Sequence, residues 1–266
     1  MFPQSPYFRI MIHSIKKLLS KILPPTLYLK TLHRTFFLLY RLGLLKSNHK
    51  FKFHYAVQRF IQPTDVVVDI GANLGYFCRT FVRLTAQGKV VAIEPVPQFY
   101  GILKHFLGGK RNVEIHNVAL GKDAGTITMV LPETDGFIRT GLPHIARNEE
   151  ELKSNKTQEV KIVHPESILS KLPKINYIKC DIEGYEWVVF QELTSLLKQH
   201  RPLVQIEIDP KNVECMLPFF VSLDYVQFGI KDFELIRETG SQAEPGDFLF
   251  VPSERENEVK SWKLKV

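Results

Sequence analysis

VVVDIGANLGYF, residues 66–77, carries a largely apolar strand, closed by Asp69, into a glycine turn and out again into a helix. A strand largely apolar along its length is buried on both faces, which a parallel sheet covered by helices provides. The same rhythm continues downstream. KVVAIE (89–94), VEIHNV (113–118), INYIKC (175–180) and LVQIEI (203–208) read as strands, and YVQFGI (225–230) and DFLFVP (247–252) follow near the end. Helical spacing fills most gaps, at about 75–86, 97–107, 185–199 and 211–221. Strand and helix in alternation specify an α/β fold. Between 126 and 163 the alternation fails. TITMVL and QEVKIV there predict an inserted strand pair around a long polar loop.

Charge divides the chain at residue 50. Residues 1–50 hold nine Lys/Arg and no Asp/Glu, whereas the rest holds 26 against 28. We therefore expect a basic helical N-terminal extension, 1–50, and a main domain, 51–266, that is nearly neutral. A nucleic-acid binder carries its basic charge across a folded face, so no nucleic-acid partner is expected. In the extension Met11, Ile15, Leu18, Leu19 and Ile22 recur at helical spacing, with Lys16, Lys17 and Lys21 set apart. Two readings stay open: a helical cap packed on the domain, or a basic amphipathic helix, residues 1–24, lying on an anionic membrane. No run is long enough to span a bilayer. Cys78, Cys180 and Cys215 are far apart, so a reduced, cytoplasmic protein is the expectation, with attachment to the inner membrane face as an option. A core built from 44% hydrophobic residues excludes general disorder.

The turn also selects a ligand. It reads G-x-N-x-G at Gly71, Asn73 and Gly75, not the G-x-G-x-x-G of dinucleotide sites. Asp69 precedes it, and a carboxylate there opposes a pyrophosphate but favours the cationic S-adenosylmethionine. Glu94 ends the next strand 25 residues on and can accept both ribose hydroxyls of either cofactor.

DIGANLGYF, AIEPVPQFY, NVALGKDAG and IKCDIEGYEWVVF, in that order, resemble FkbM-type S-adenosylmethionine-dependent methyltransferases. The resemblance runs from about residue 50 to 252. It implies a Rossmann-like class I methyltransferase fold: a seven-stranded, mostly parallel sheet with helices on both faces and its last strand antiparallel. It also implies O-methylation of a hydroxyl on a carbohydrate or related acceptor, such as a surface polysaccharide or secondary metabolite. Carried over by position, Asp69, Gly71, Ala72, Asn73 and Gly75 would line the methionine end of the cofactor, with Tyr76 and Phe77 at the helix start. Glu94 would hold the ribose, and Pro95, Val96, Asn117 and Ala119 would border the adenine.

The fourth strand ends in CDIEGYE, where Asp181, Glu183 and Glu186 crowd one edge. Asp181 or Glu183 is the expected catalytic base or acceptor anchor. Glu186 reads as a helix-start acid. A Mg²⁺ shared by Asp181, Glu183 and Glu207 or Asp209 is a further reading. Arg139 and His144 lie in the insert, which should overhang the acceptor, and His54 and Tyr55 precede the first strand. Trp187 and Phe190 read as core. Against the enzyme stands a non-catalytic, membrane-associated module that keeps the fold.

Overall fold

Parallel pairing of the apolar runs builds the central sheet of the protein. Its computed structural model describes residues 6–134, 137–146, 148–231, 234–238, 247–260 and 262. Helices α1 (Pro6–Ile22), α2 (Pro25–Arg41) and α3 (Lys52–Phe60) come first. The domain then alternates: β1 (Val66–Ile70), α4 (Cys78–Leu84), β2 (Lys89–Ile93), α5 (Pro97–Leu107) and β3 (Val113–His116). An insert follows with β4 (Ala119–Leu120), β5 (Gly125–Leu131), β6 (Glu133–Thr134), β7 (Phe137–Ile138), β8 (His144–Ile145), α6 (Glu149–Ser154) and β9 (Lys156–Val163). Then come α7 (Glu166–Leu169), β10 (Tyr177–Cys180), α8 (Glu186–Glu192), α9 (Thr194–His200), β11 (Leu203–Glu207) and α10 (Val213–Ser222). The chain finishes with β12 (Tyr225–Lys231), β13 (Glu234–Arg237), β14 (Asp247–Pro252) and α11 (Glu256–Lys260).

The main sheet runs β13-β12-β14-β11-β10-β1-β2-β3. β3, β2, β1, β10 and β11 are mutually parallel, and β14 lies antiparallel between β11 and β12. This is a class I methyltransferase fold, and β14 carries the expected reversal. The sheet has eight strands where seven were expected. The added strand is β13, which pairs with β12 as an antiparallel edge. Its sequence, ELIR, is short and mostly exposed, so it lacks the apolar signature of its neighbours.

β5 and β9 form the expected strand pair in the insert, and β4 and β8 widen it to four strands. The predicted helix over 185–199 is broken at Leu193, whose buried side chain sits between α8 and α9.

The core has two layers, one on each face of the sheet. Val68, Ile70, Ile178, Val204 and Phe190 belong to one; Val67, Val90, Tyr177, Leu203 and Phe81 belong to the other. Alternate residues of each parallel strand face opposite sides, which is why these strands are mainly apolar on both faces, with Asp69, Lys179 and Gln205 as buried exceptions. Trp187 is half-buried against Phe219, and Phe190 is fully buried against Phe220. A third cluster joins the N-terminal helices to α5 and the insert sheet through Tyr28, Leu29, Phe99, Met129 and Val160, with Leu19 and Leu23 against it. On α1, Ile15, Leu18 and Ile22 stay exposed on the other side. The side chain of Met11 lies outside the described residues.

Candidate active site

β1 delivers the chain to a turn that only a left-handed backbone can make. Gly71 (φ 75°), Asn73 (φ 53°) and Gly75 (φ 89°) all adopt it. Glycine does so freely, and Asn tolerates it better than most residues. The amides of Gly71 and Ala72 both donate to the Ile93 carbonyl at 3.0 Å, which ties the turn to the end of β2. The Asn73 amide donates to Glu94 Oε2 (2.7 Å), and the Val96 amide donates to Glu94 Oε1 (2.9 Å). Glu94 is thus held with one backbone donor on each oxygen and 4% exposure. Burial pushes its carboxyl up to about 7 against the pull of those two donors. Asn117 supports the same segment from β3, donating to the carbonyls of Glu94 and Pro95 at 2.9 Å.

β10 brings the second wall. The Asp181 amide donates to the Ile70 carbonyl (3.1 Å), so the two strand ends are joined directly. The Asp181 side chain is 35% exposed. Glu183 (φ 51°) and Gly184 (φ 94°) then turn the chain in the left-handed region. A glutamate held there is strained by about 1–2 kcal/mol, as active-site residues often are. Glu186 has a different task. It is buried, accepts from the Gly184 amide and from Asn212 Nδ2 at 2.6 Å each, and so locks the turn.

Between the walls lies a cleft whose empty space, open mouth and adjoining solvent included, is about 640 Å³. Gly71, Asn73, Glu94, Pro95, Val96 and Ala119 line it, and so do Asp181 and Glu183. Asp69, Ala72, Gly75, Tyr76, Phe77 and Asn117 do not line it. Residues the sequence did not single out complete the cleft. Phe99, Met129 and Val118 give it an apolar flank, and Thr140, Gly141, Pro143 and Ile145 bring the insert across it. The Asn73 side-chain amide donates to the Thr140 carbonyl, fastening the insert to the glycine turn.

Asp69 is fully buried, and what it faces is Lys179, at 3.6 Å. The parallel register puts the two residues opposite each other on β1 and β10. The lysine ammonium also donates to the Gly71 carbonyl (3.0 Å), lies 3.5 Å from Asp181, and sits over the Phe77 ring. Burial works against this ammonium, but Asp181 and Asp69 outweigh it and raise the lysine above its ordinary value. Burial pushes Asp69 up to about 6, with Lys179 opposing. Asp69 therefore opposes a pyrophosphate less than its sequence position implied. Glu94, Asp181 and Glu183 oppose one more directly, since all three line the cleft and no Lys or Arg among the described residues does. A lysine inside an apolar strand was the available signal for Lys179; its pairing with Asp69 needed the register.

Among the described residues no three His, Cys, Asp or Glu side chains are placed to hold a metal. The Mg²⁺ reading is corrected accordingly. Asp209 accepts from the Lys211 amide and pairs with its ammonium. His144 bonds the Leu142 carbonyl and Glu151 and does not line the cleft. Arg139 is exposed and also lies outside it. His54 stacks on Phe77 at 3.7 Å, and Tyr55 stacks on Tyr40, both behind the cleft. Burial, with Lys179 nearby, lowers His54 to about 3, so it is neutral.

The sheet order and the cleft at the carboxyl ends of β1, β2 and β10 define a methyltransferase of the Rossmann-like class. The chain belongs to the FkbM methyltransferase family, whose domain, described as "Methyltransferase FkbM domain", matches residues 69–227. Among solved structures it is similar to an FkbM methyltransferase from Methylobacillus flagellatus KT, with 14% identity and a TM-score of 0.49, over 88% of this chain and 57% of that one. It is also similar to a putative rRNA methylase from Clostridium thermocellum (11% identity, TM-score 0.47, 77% and 96% covered). A third is a putative methyltransferase from Streptococcus mutans in complex with SAH (10% identity, TM-score 0.44, 76% and 97% covered). The chain thus spans little more than half the length of the Methylobacillus protein. No curated protein matches it.

Proposed function

We propose that the protein is an S-adenosylmethionine-dependent O-methyltransferase acting on a hydroxyl of a carbohydrate or related polyhydroxyl acceptor. One observation carries the reading: the glycine turn, the acid ending β2 and the two carboxylates after β10 line a single cleft. The fit to the cofactor is good at each part. Glu94 keeps acceptor capacity on both oxygens for ribose hydroxyls, because a carboxylate has about four lone-pair sites and only two are taken. Val96, Phe99 and Met129 line the cleft and would give a base an apolar slot, and Gly71 and Asn73 would meet the amino-acid end. When bound there, the cofactor supplies an electrophilic methyl group on a sulfonium.

The chain's own residues then position and deprotonate. Asp181 is partly exposed at the mouth of the cleft and can accept a hydrogen bond from an acceptor hydroxyl. Lys179 holds it from behind and fixes its direction. In-line transfer needs the oxygen roughly 3–3.5 Å from the methyl carbon, and such positioning supplies about 7–11 kcal/mol of the barrier. Asp181 would take the proton that the acceptor hydroxyl gives up. Glu183, on the strained turn beside it, anchors a neighbouring hydroxyl. A polyhydroxyl acceptor suits two carboxylates at one mouth better than a single isolated alcohol does. The insert strand β8 and the segment before it, including Thr140 and Gly141, exclude water from that side.

The test is a titration of the protein with S-adenosylmethionine, S-adenosylhomocysteine and NAD, repeated on Glu94→Ala, followed by methyl transfer from labelled cofactor to a panel of glycans, sugars and RNA. Binding of both sulfur ligands and not NAD, weakened in Glu94→Ala, supports the cofactor. Label in RNA but in no glycan would move the acceptor class. Cofactor binding with no transfer to any acceptor would leave the non-catalytic reading in its place.

A further inference from the structure

A second concavity lies on the helical side of the domain and shares no lining residue with the cleft. Its floor includes Ala86 and Asn112, just before the amino ends of β2 and β3, so it opens away from the carboxyl edge where the cleft lies. Six cations line it: Arg41, Lys46, Arg59, Arg79, Arg83 and Lys110. No Asp or Glu lines it, and none of the six is ion-paired among the described residues. The cations act on one another: burial lowers Arg79, and Arg41 lowers it further. Positive charge gathered in a concave surface without a counter-charge is an anion site.

Its lip narrows the class of anion. Leu42 lines the groove with 61% of its surface exposed, and Leu38, one turn earlier on α2, is 58% exposed. Leu44, two residues on, is also exposed. A soluble phosphate compound makes no use of such aliphatic side chains. Single-stranded nucleic acid would use aromatic faces, but Tyr40 and Tyr55 in the groove are stacked on each other at 4.6 Å. A lipid surface uses both features, since interfacial binding adds buried apolar area to the attraction of anionic headgroups. No described helix is long and apolar enough to cross a membrane, so the contact is a surface one.

We propose that this groove docks the phosphate headgroups of an anionic phospholipid surface, with Leu38, Leu42 and Leu44 entering the interfacial layer. The site is independent of the methyl-transfer cleft. It is also distinct from the exposed stripe of Ile15, Leu18 and Ile22 on α1.

The experiment is flotation of the full-length protein with vesicles of phosphatidylcholine alone or mixed with phosphatidylglycerol, at low and high salt. Binding to the anionic vesicles only, falling as salt rises, is expected. Each cation near such a surface is worth about 1 kcal/mol, so Arg59→Gln with Arg83→Gln should weaken binding roughly 30-fold. Leu38→Ser with Leu42→Ser should weaken it while leaving the salt dependence intact. If the arginine pair lowers the melting temperature, Arg41→Gln with Lys110→Gln replaces it. The proposal is overturned if neutral and anionic vesicles bind alike, or if both charge variants bind as the parent does. It is equally overturned if binding is lost only in Ile15→Ser with Leu18→Ser, or if single-stranded RNA and not vesicles competes for the groove.

Discussion

Gly71 lies directly beneath the backbone of Asp181, so closely that a Cβ on the glycine would overlap the Asp181 carbonyl oxygen. The glycine turn and Asp181 are thus in van der Waals contact through main chain alone. Gly71→Ala must both hold alanine at φ 75° and push the two strand ends apart. The left-handed backbone alone costs about 1–2 kcal/mol. We expect a total loss of about 2 kcal/mol or more by urea denaturation, together with weaker cofactor binding. A variant as stable as its parent would mean that the strand ends do not touch.

Lys179 is the only cation beside the buried carboxylate of Asp69 among the described residues. Replacing it with Met leaves that charge unpaired, and breaking a buried pair costs about 3–5 kcal/mol. The double variant Lys179→Met with Asp69→Asn should regain most of the loss. Equal stabilities of the single and double variants would show that Asp69 does not need its partner.

If Glu94 holds the ribose as proposed, cofactor affinity should depend on pH. Burial raises its carboxyl from the ordinary 4.5 to about 7. The folded protein therefore keeps this proton longer than the unfolded chain does. Its contribution to stability is full below about 4.5 and is lost as pH rises through about 7. Binding runs the opposite way, because only the ionised carboxylate can accept two ribose hydroxyls. Affinity for S-adenosylhomocysteine should rise about tenfold per pH unit up to 7 and then level off. Calorimetry across that range is the measurement, and Glu94→Gln should bind weakly with a flat profile. A profile in the variant like that of the parent would assign the titration to another group.

Asp181→Asn keeps the shape of the side chain and removes the proposed base. Turnover on an accepted substrate should fall about 10²–10⁴-fold, with S-adenosylhomocysteine affinity near that of the parent. Near-normal turnover would shift the proton to Glu183, and the same assay on Glu183→Gln would decide it.

The parts of the site that the sequence revealed are those written at strand ends. Asp181 and Glu183 announce themselves because a buried strand stops at them, and Glu94 because it closes the next strand. Gly71 and Asn73 are legible for the same reason, since a turn there needs residues that accept a left-handed backbone. What stayed hidden depends on contacts between distant segments. Asp69 reads as a ligand-facing acid until the register sets it against Lys179. Thr140 reads as an ordinary loop residue until the Asn73 side chain is seen to hold its carbonyl. β13 was invisible because an exposed edge strand needs no apolar pattern.

His33 on α2 shows how far such contacts reach. It is buried, donates to the Leu74 carbonyl at 2.8 Å and accepts from Arg79 at 3.2 Å, so the N-terminal helices help to hold the glycine turn.

The strand order also sets a timetable. β1 lies between β2, which follows closely, and β10, whose neighbouring Asn176 caps the Val66 amide from 110 residues away. A ribosome making this chain releases the glycine turn and Glu94 early, yet the wall that carries Asp181 emerges only after the whole insert. Pairings of such long separation form slowly, because the loop must close before any contact rewards it. Until then β1 offers an open edge to other chains. The cleft is thus among the last features to form, and a nascent chain stalled before residue 177 would be open to misassembly along that edge.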